Sequence, residues 1–116
     1  MLSIGPQAFD AFQREAEHDF VVKLGKVLRA EVPSLAAEPE PAFSQQVWNI
    51  ISRARSFGLA SEQTISAYAI TAGLLGLDFP DRYRGARQIL EGQEHEARKA
   101  ELLEHFTLAL FEALER

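Results

Sequence analysis

One stretch, residues 61–79, constrains the fold more than any other because it predicts a helix that is apolar on opposite sides. A predicted N-cap at Ser61 starts this helix, and Gly76 is a typical glycine stop after its last turn. One face carries apolar residues at helical spacing: Ile65, Tyr68, Ala69, Ala72 and Leu75. Ile70 and Leu74 fall on the opposite face. We therefore expect a central helix that leaves no side for water and is enclosed by the other helices.

Composition and helical periodicity together predict the fold class. The chain has 116 residues, of which 47% are hydrophobic and 25% charged, a balance that suits one ordinary globular domain. Glycines, prolines and periodic apolar residues divide the rest of the chain into further helices. We expect an all-α, compact bundle of about five helices around the central helix, with residues 1–116 in a single helical domain.

The segments before the central helix predict a long helix, a loop and a second long helix. The first helix should run from Pro6 to Val32, with an inward stripe of Phe9, Phe12, Ala16, Phe20, Leu24 and Val27. Gly25 interrupts it and favours close packing against a neighbour. Three prolines make residues 33–41 a predicted Pro-rich loop, exposed and the first place for a protease to cut.

The sequence carries no targeting or membrane signal that we recognise. The N-terminal residues MLSIGPQAF lack a basic segment followed by an apolar one, and the longest apolar run is too short to cross a bilayer. The chain has no cysteine, which fits a reducing compartment. We therefore expect a cytoplasmic protein that has no membrane partner.

A metal or cofactor site is not expected. The three histidines, His18, His95 and His105, lie on predicted helices beside carboxylates. Glu15 and His18 match the Glu-x-x-His pattern of di-iron bundles, but such a centre needs a second copy of that pattern, and the chain has none. Surface histidines on acidic helices are the simpler interpretation.

The sequence also lacks the motifs of common enzymes and of nucleic-acid binding. There is no Gly-x-Ser-x-Gly elbow and no phosphate-binding glycine loop. The net charge of −5 opposes nucleic acid. The basic clusters, Arg53 and Arg55 and then Arg82, Arg84 and Arg87, are more simply explained by pairing with the surplus of carboxylates or by an acidic protein partner. We expect no enzyme and no nucleic-acid partner.

A few large side chains fall outside the predicted core stripes. Leu108 and Phe111 widen the stripe of the last helix, Trp48 lies to one side of the second helix near Arg55, and Val22 lies opposite the stripe of the first helix. These five residues are the candidate partner-binding residues, forming one or two apolar patches rimmed by charge that would bind a protein or a second copy of the chain. The alternative is that the bundle covers them from a second side.

One part of the sequence resembles a known group of proteins. The pattern, spread over roughly residues 2–90, is most specific at Gly58-Leu59-x-Ser61-Glu62, Tyr68 and Leu75-Gly76-x-Asp78-Phe79. It resembles small helical accessory proteins encoded beside type VI secretion effectors, PAAR tips and their chaperones. The resemblance implies a bacterial adaptor or co-chaperone that helps to load an effector onto the secretion spike, and it implies no catalytic residues.

Three functions therefore remain open at this point. The leading one is a non-enzymatic protein-binding module, an adaptor or co-chaperone whose partner is an effector, a chaperone or a spike component. The alternative is an immunity protein for a neighbouring toxin. The third is an enzyme based on scattered carboxylates such as Glu15, Glu101 and Glu104.

Overall fold

The computed structural model describes the backbone of residues 6–115 and the side chains of residues 15–115. These residues form seven helices and no strand, which confirms the all-α class. The helices are α1 (Pro6–Glu31), α2 (Pro33–Ala36), α3 (Glu40–Ser56), α4 (Glu62–Leu75), α5 (Phe79–Arg82), α6 (Arg84–Glu91) and α7 (Glu96–Leu114). The count exceeds five because the Pro-rich segment forms a helical turn, α2, and residues 79–82 form another, α5, ahead of the short helix α6. The side chains of Phe9 and Phe12 lie outside the described residues.

The ends of α4 follow from local side-chain chemistry. Ser61 has an extended backbone, and its hydroxyl accepts a hydrogen bond of 3.1 Å from the backbone N–H of Thr64. At the other end Gly76 has φ of +111°, a conformation that side chains with a Cβ rarely adopt. Both predicted boundaries of α4 are therefore correct.

One side of α4 forms the centre of the hydrophobic core. Ile65, Tyr68, Ala72 and Leu75 are buried, as expected, and α4 packs against α1, α3 and α7. The rings of Tyr68 and Phe79 lie 5.0 Å apart between their centroids. Burial raises the pKa of Tyr68 to about 12, because the charged phenolate would be poorly solvated there.

The opposite side of α4 is not covered, so the expectation of a helix without a solvent face is wrong. Leu74 is 43% exposed, and Ile70 and Ala67 are half-buried. The reason is geometric: three long helices, α1, α3 and α7, pack on α4, and they leave open the strip of α4 that carries these residues. The exposed strip lies about 100–160° around the helix from Tyr68.

The helices α4 and α7 run parallel. Ser61, just before α4, is hydrogen-bonded to Glu96 in the first turn of α7, and Leu74 and Leu108 line the same cavity near the other end of α4. The chain between them returns through α5 and α6. Lys99 fixes part of this return, because its Nζ donates hydrogen bonds to the carbonyl oxygens of Phe57 (3.0 Å) and Leu90 (2.7 Å).

The buried face of α1 differs in part from the predicted stripe. Phe20 and Leu24 are buried as expected, but Val27 is 41% exposed and Leu28 is fully buried in its place. The face turns because α1 packs on both α3 and α4, so the residues pointing between these two helices are covered. Gly25 lies against α3, where an added Cβ would be 3.1 Å from the ring of Phe43, as the expected close packing requires.

The Pro-rich segment is largely exposed, as expected, but part of it is helical. It contains α2, and α3 begins at Glu40, within the range predicted as loop. The guanidinium of Arg29 donates hydrogen bonds to the carbonyl oxygens of Ala36 (2.9 Å) and Glu38 (3.0 Å) and to the carboxylate of Glu40 (2.9 Å). One arginine of α1 therefore holds the second half of the connection and the start of α3.

Candidate functional site

An open apolar groove runs between α4 and α7, with a volume of about 340 Å³. Its walls are Ala67, Ile70 and Leu74 of α4 and Ala100, Glu104 and Leu108 of α7. Leu108 is 56% exposed, more than Leu74 across from it. We call this feature the α4–α7 groove. Leu74 and Leu108 are each about half exposed, so together they form a solvent-accessible apolar surface.

The floor of the α4–α7 groove is apolar although two threonines form part of it. The hydroxyl of Thr71 donates to the carbonyl oxygen of Ala67 (2.9 Å), and that of Thr107 donates to the carbonyl oxygen of Leu103 (2.8 Å). Both hydroxyls are thus bound to their own helix, a common arrangement for threonine within helices. Their hydroxyl protons are used within the protein, so the floor offers no free hydroxyl donor and favours an apolar occupant.

The groove continues toward the N-termini of both helices into a more polar region of about 400 Å³. The two regions share Ala67, Ala100 and Glu104. The polar region also contains the carboxylates of Glu96 and Glu101, and we call it the acidic end. One continuous groove therefore has an apolar end and an acidic end.

The carboxylate of Glu96 organises the acidic end. It accepts hydrogen bonds from the backbone N–H of Ser61 (3.0 Å), the hydroxyl of Thr64 (3.0 Å) and the backbone N–H of Ala60 (3.3 Å). These donors, the Ser61 N–H first, lower the pKa of Glu96 to about 2 because they stabilise the charged form. Glu96 is therefore ionised at neutral pH and joins the first turns of α4 and α7.

The candidate residues from the sequence are divided between two faces of the molecule. Val22 (42% exposed) and Trp48 (37% exposed) line a second groove, between α1 and α3, of about 400 Å³. Arg55 lies on the same side of α3, where its guanidinium pairs with Glu17 of α1 at 3.2 Å. Val22 and Trp48 therefore line what we call the α1–α3 groove, whereas Arg55 is not among its lining residues.

The other two candidates lie on α7. Leu108 lines the α4–α7 groove, and Phe111, 36% exposed, follows one turn later. Phe111 is not among the residues that line the groove. Both lie on the exposed part of α7, as expected, but the structure does not bring them together with Val22 and Trp48.

Ile70 and Leu74 are the residues of the groove that sequence reasoning placed wrongly. Their apolar character predicts that both are buried. Together with Ala67, however, they form a second apolar stripe at spacings of three, four and seven residues. That second stripe is the signal that indicates a groove. It is visible in the sequence but does not show whether another helix covers it.

The arginine clusters are largely paired with carboxylates of the same chain. Asp81 accepts hydrogen bonds from Arg53 and from Arg87 at 2.9 Å, and Arg87 also pairs with Glu91 at 2.8 Å. Arg53 is the main cause of the lowered pKa of Asp81. These contacts agree with the interpretation of the clusters as a solvated, paired face.

The described residues also bear on the metal and membrane questions. Among them, no group of three or more His, Cys, Asp or Glu side chains is arranged to hold a metal ion. His95 acts instead as a helix cap, because its Nδ1 accepts a hydrogen bond of 3.2 Å from the backbone N–H of Ala97. Within the same residues, no helix combines the length and apolar character needed to cross a membrane.

Comparison with known proteins adds no relative: no protein-family model, no curated protein and no solved structure matches the chain. The geometry of the α4–α7 groove is therefore the basis for a functional proposal.

Proposed function

We propose that the protein is a non-enzymatic protein-binding module, an adaptor or co-chaperone that holds a type VI secretion effector for loading. The observation that carries the binding role is the α4–α7 groove, with Leu74 and Leu108 facing each other across an apolar floor. A monomer gains nothing in stability from leaving such leucines in water, whereas a partner that covers them gains the free energy of their burial. The secretion context comes from the sequence resemblance.

The α4–α7 groove is the better binding candidate of the two grooves. The α1–α3 groove is crossed by the Arg29–Glu40 contact, and its charged lining also includes Lys26. A partner entering there would have to displace or accommodate these charges. The apolar half of the α4–α7 groove contains a single charged lining residue, Glu104, at its boundary with the acidic end.

The test is co-purification of the protein with effectors, chaperones and spike proteins encoded beside it. Leu74→Ser combined with Leu108→Ser should abolish capture while the melting temperature stays within a few degrees, because both side chains are already exposed. Val27→Ser, a similarly exposed position outside this groove, is the matched control and should keep the partner.

Two results would overturn the proposal. The site would move to the α1–α3 groove if a Val22→Ser, Trp48→Ser variant lost the partner while the Leu74→Ser, Leu108→Ser variant still captured it fully. Stoichiometric inhibition of a toxin's activity by the purified protein would instead identify an immunity protein.

A further inference from the structure

We propose that the α4–α7 groove takes an amphipathic α-helix of the partner, antiparallel to α4 and α7, with lysine or arginine at its C-terminal end over Glu101 and Glu104. This inference rests on the proposed binding function and specifies the chemistry of the partner segment. It follows from the floor of the groove, its length, its charge and the direction of its two walls.

The floor determines that the occupant is a helix rather than an extended peptide. An extended segment must find partners for its backbone N–H and C=O groups, and buried backbone groups without them are costly. The walls are helices whose backbone groups are already bonded, and the hydroxyls of Thr71 and Thr107 donate to their own helices. A helix satisfies its own backbone and presents only side chains, so it suits this floor.

The length of the groove fits about three turns of such a helix. The lining of α4 runs from Gln63 at the acidic end to Leu74 at the apolar end. At 1.5 Å per residue this is roughly 16 Å, or about eleven residues of a helical partner. Apolar side chains on one face of that partner would contact Ile70, Leu74 and Leu108.

The charge at the acidic end is only partly compensated within the protein. Glu101 pairs with Arg98 at 2.9 Å, but Glu104 forms no ion pair with any side chain that the structure describes. The neighbouring cation, Lys99, is buried and directs its Nζ at the carbonyl oxygens of Phe57 and Leu90. A cationic group on the partner complements this end of the groove.

The parallel direction of α4 and α7 sets the direction of the partner. Both helices begin at the acidic end, so the positive ends of both helix dipoles lie there. A partner helix places its own negative end there when it runs antiparallel to them. Basic residues favour the last turn of a helix, and in this orientation that turn lies at the acidic end, from which long basic side chains extend toward Glu101 and Glu104.

A second copy of the chain fits this site poorly. If α7 of a second copy lay antiparallel in the groove, its C-terminal turn would face the acidic end. That turn contains Glu112, and within its described residues α7 has no basic residue in the last turn. With a net charge of −5 on each copy, the two proteins would also repel each other.

The test uses three helical peptides of about fourteen residues, all with the same alanine and leucine face. One carries two lysines in its last turn, one carries them in its first turn, and one carries glutamates in its last turn. Fluorescence anisotropy at low salt should show the first peptide binding roughly three- to tenfold more tightly than the second and more tightly still than the third. This preference should shrink as salt is added.

Variants assign the preference to named residues. Glu104→Gln should remove most of the advantage of the first peptide, whereas Glu112→Gln on the same helix should not, and Leu74→Ser with Leu108→Ser should abolish binding of all three. The inference is overturned if the two lysine peptides bind with equal affinity or if no peptide binds. It is also overturned if the protein forms a dimer that the Leu74→Ser, Leu108→Ser variant dissociates. If the natural partner still needs Leu74 and Leu108 but ignores Glu104→Gln, the proposed function stands and the charge inference fails.

Discussion

The backbone N–H of Ser61 donates a hydrogen bond of 3.0 Å to the carboxylate of Glu96, a residue in the first turn of another helix. Ser61 is the N-cap of α4, so one carboxylate stabilises the beginning of α4 while belonging to α7. A negative charge at this position also suits the dipoles of both helices. The contact aligns α4 with α7, and the groove between them depends on that alignment.

Replacing Glu96 should change how the stability of the protein depends on pH. The pKa of Glu96 is about 2 in the folded protein against an ordinary value of 4.5, so its stabilising effect is complete above about pH 4.5 and is lost as the pH falls toward 2. Thermal melts of Glu96→Gln should start from a lower melting temperature at pH 7. They should also show a smaller further decline over this acid range than the wild type.

Glu94→Gln removes one carboxylate outside the Ser61 contact and controls for the change in net charge. Parallel acid curves for the wild type and Glu96→Gln would show that the hydrogen bonds from Ser61 and Thr64 do not stabilise the charged carboxylate.

Lys99 should contribute more to stability than its neighbour Arg98. Lys99→Met keeps an apolar stem of similar length but leaves the carbonyl oxygens of Phe57 and Leu90 without their donor, which should lower the free energy of unfolding by about 1–3 kcal/mol. Arg98→Met breaks an exposed pair with Glu101 and should cost less than about 0.5 kcal/mol. Urea denaturation measures both, and equal losses would contradict the structural role of Lys99.

Gly73 marks the close approach of α4 to the end of α1. A Cβ at this position would lie 2.6 Å from Cγ2 of Val32, a buried side chain. Gly73→Ala should therefore lower the free energy of unfolding by about 1–3 kcal/mol, although alanine favours a helix interior. Val32→Ala combined with Gly73→Ala should lose less than the sum of the single variants, because the clash is removed. Strict additivity in chemical melts would argue against this contact.

Arg29 should protect the Pro-rich segment from proteolysis. A protease that cuts after alanine can act at Ala36 and Ala37, and the Arg29 guanidinium contacts the carbonyl oxygens of Ala36 and Glu38. Arg29→Met should raise the cleavage rate there several-fold without a matching rise elsewhere, since local opening becomes easier. Lys26→Met, on the same helix, is the control. Unchanged cleavage at both sites would mean that these hydrogen bonds do not hold the segment.

The sequence predicts features of this fold that depend on nearby residues. Ser61 and Gly76 define the ends of α4 because capping and left-handed backbone are local properties. The exposure of Leu74 is different, because it depends on which helices lie beside α4. That arrangement involves the contact between Ser61 and Glu96, which are far apart in the sequence, and no local pattern shows it.

The same distinction applies to the candidate site. Leu108 and Trp48 each fall outside a single helical stripe, and of the two alternatives that this pattern leaves open the structure shows the exposed one. Their separation onto two faces could not be predicted, since it requires the packing of α1 on α3 and of α4 on α7. Likewise, Val27 and Leu28 are adjacent in sequence, and only the angle at which α1 meets its neighbours decides which of them is buried.

The two sides of α4 allow stability and recognition to be altered separately. Ile65, Tyr68 and Leu75 are buried in the core and hold the domain together. Ile70 and Leu74 alternate with them along the sequence but line the groove. Substitutions at the groove positions change what the protein contacts without opening a cavity in its interior. A library varied at residues 67, 70, 74, 104 and 108 would therefore yield mostly folded proteins, from which modules for new helical targets can be selected.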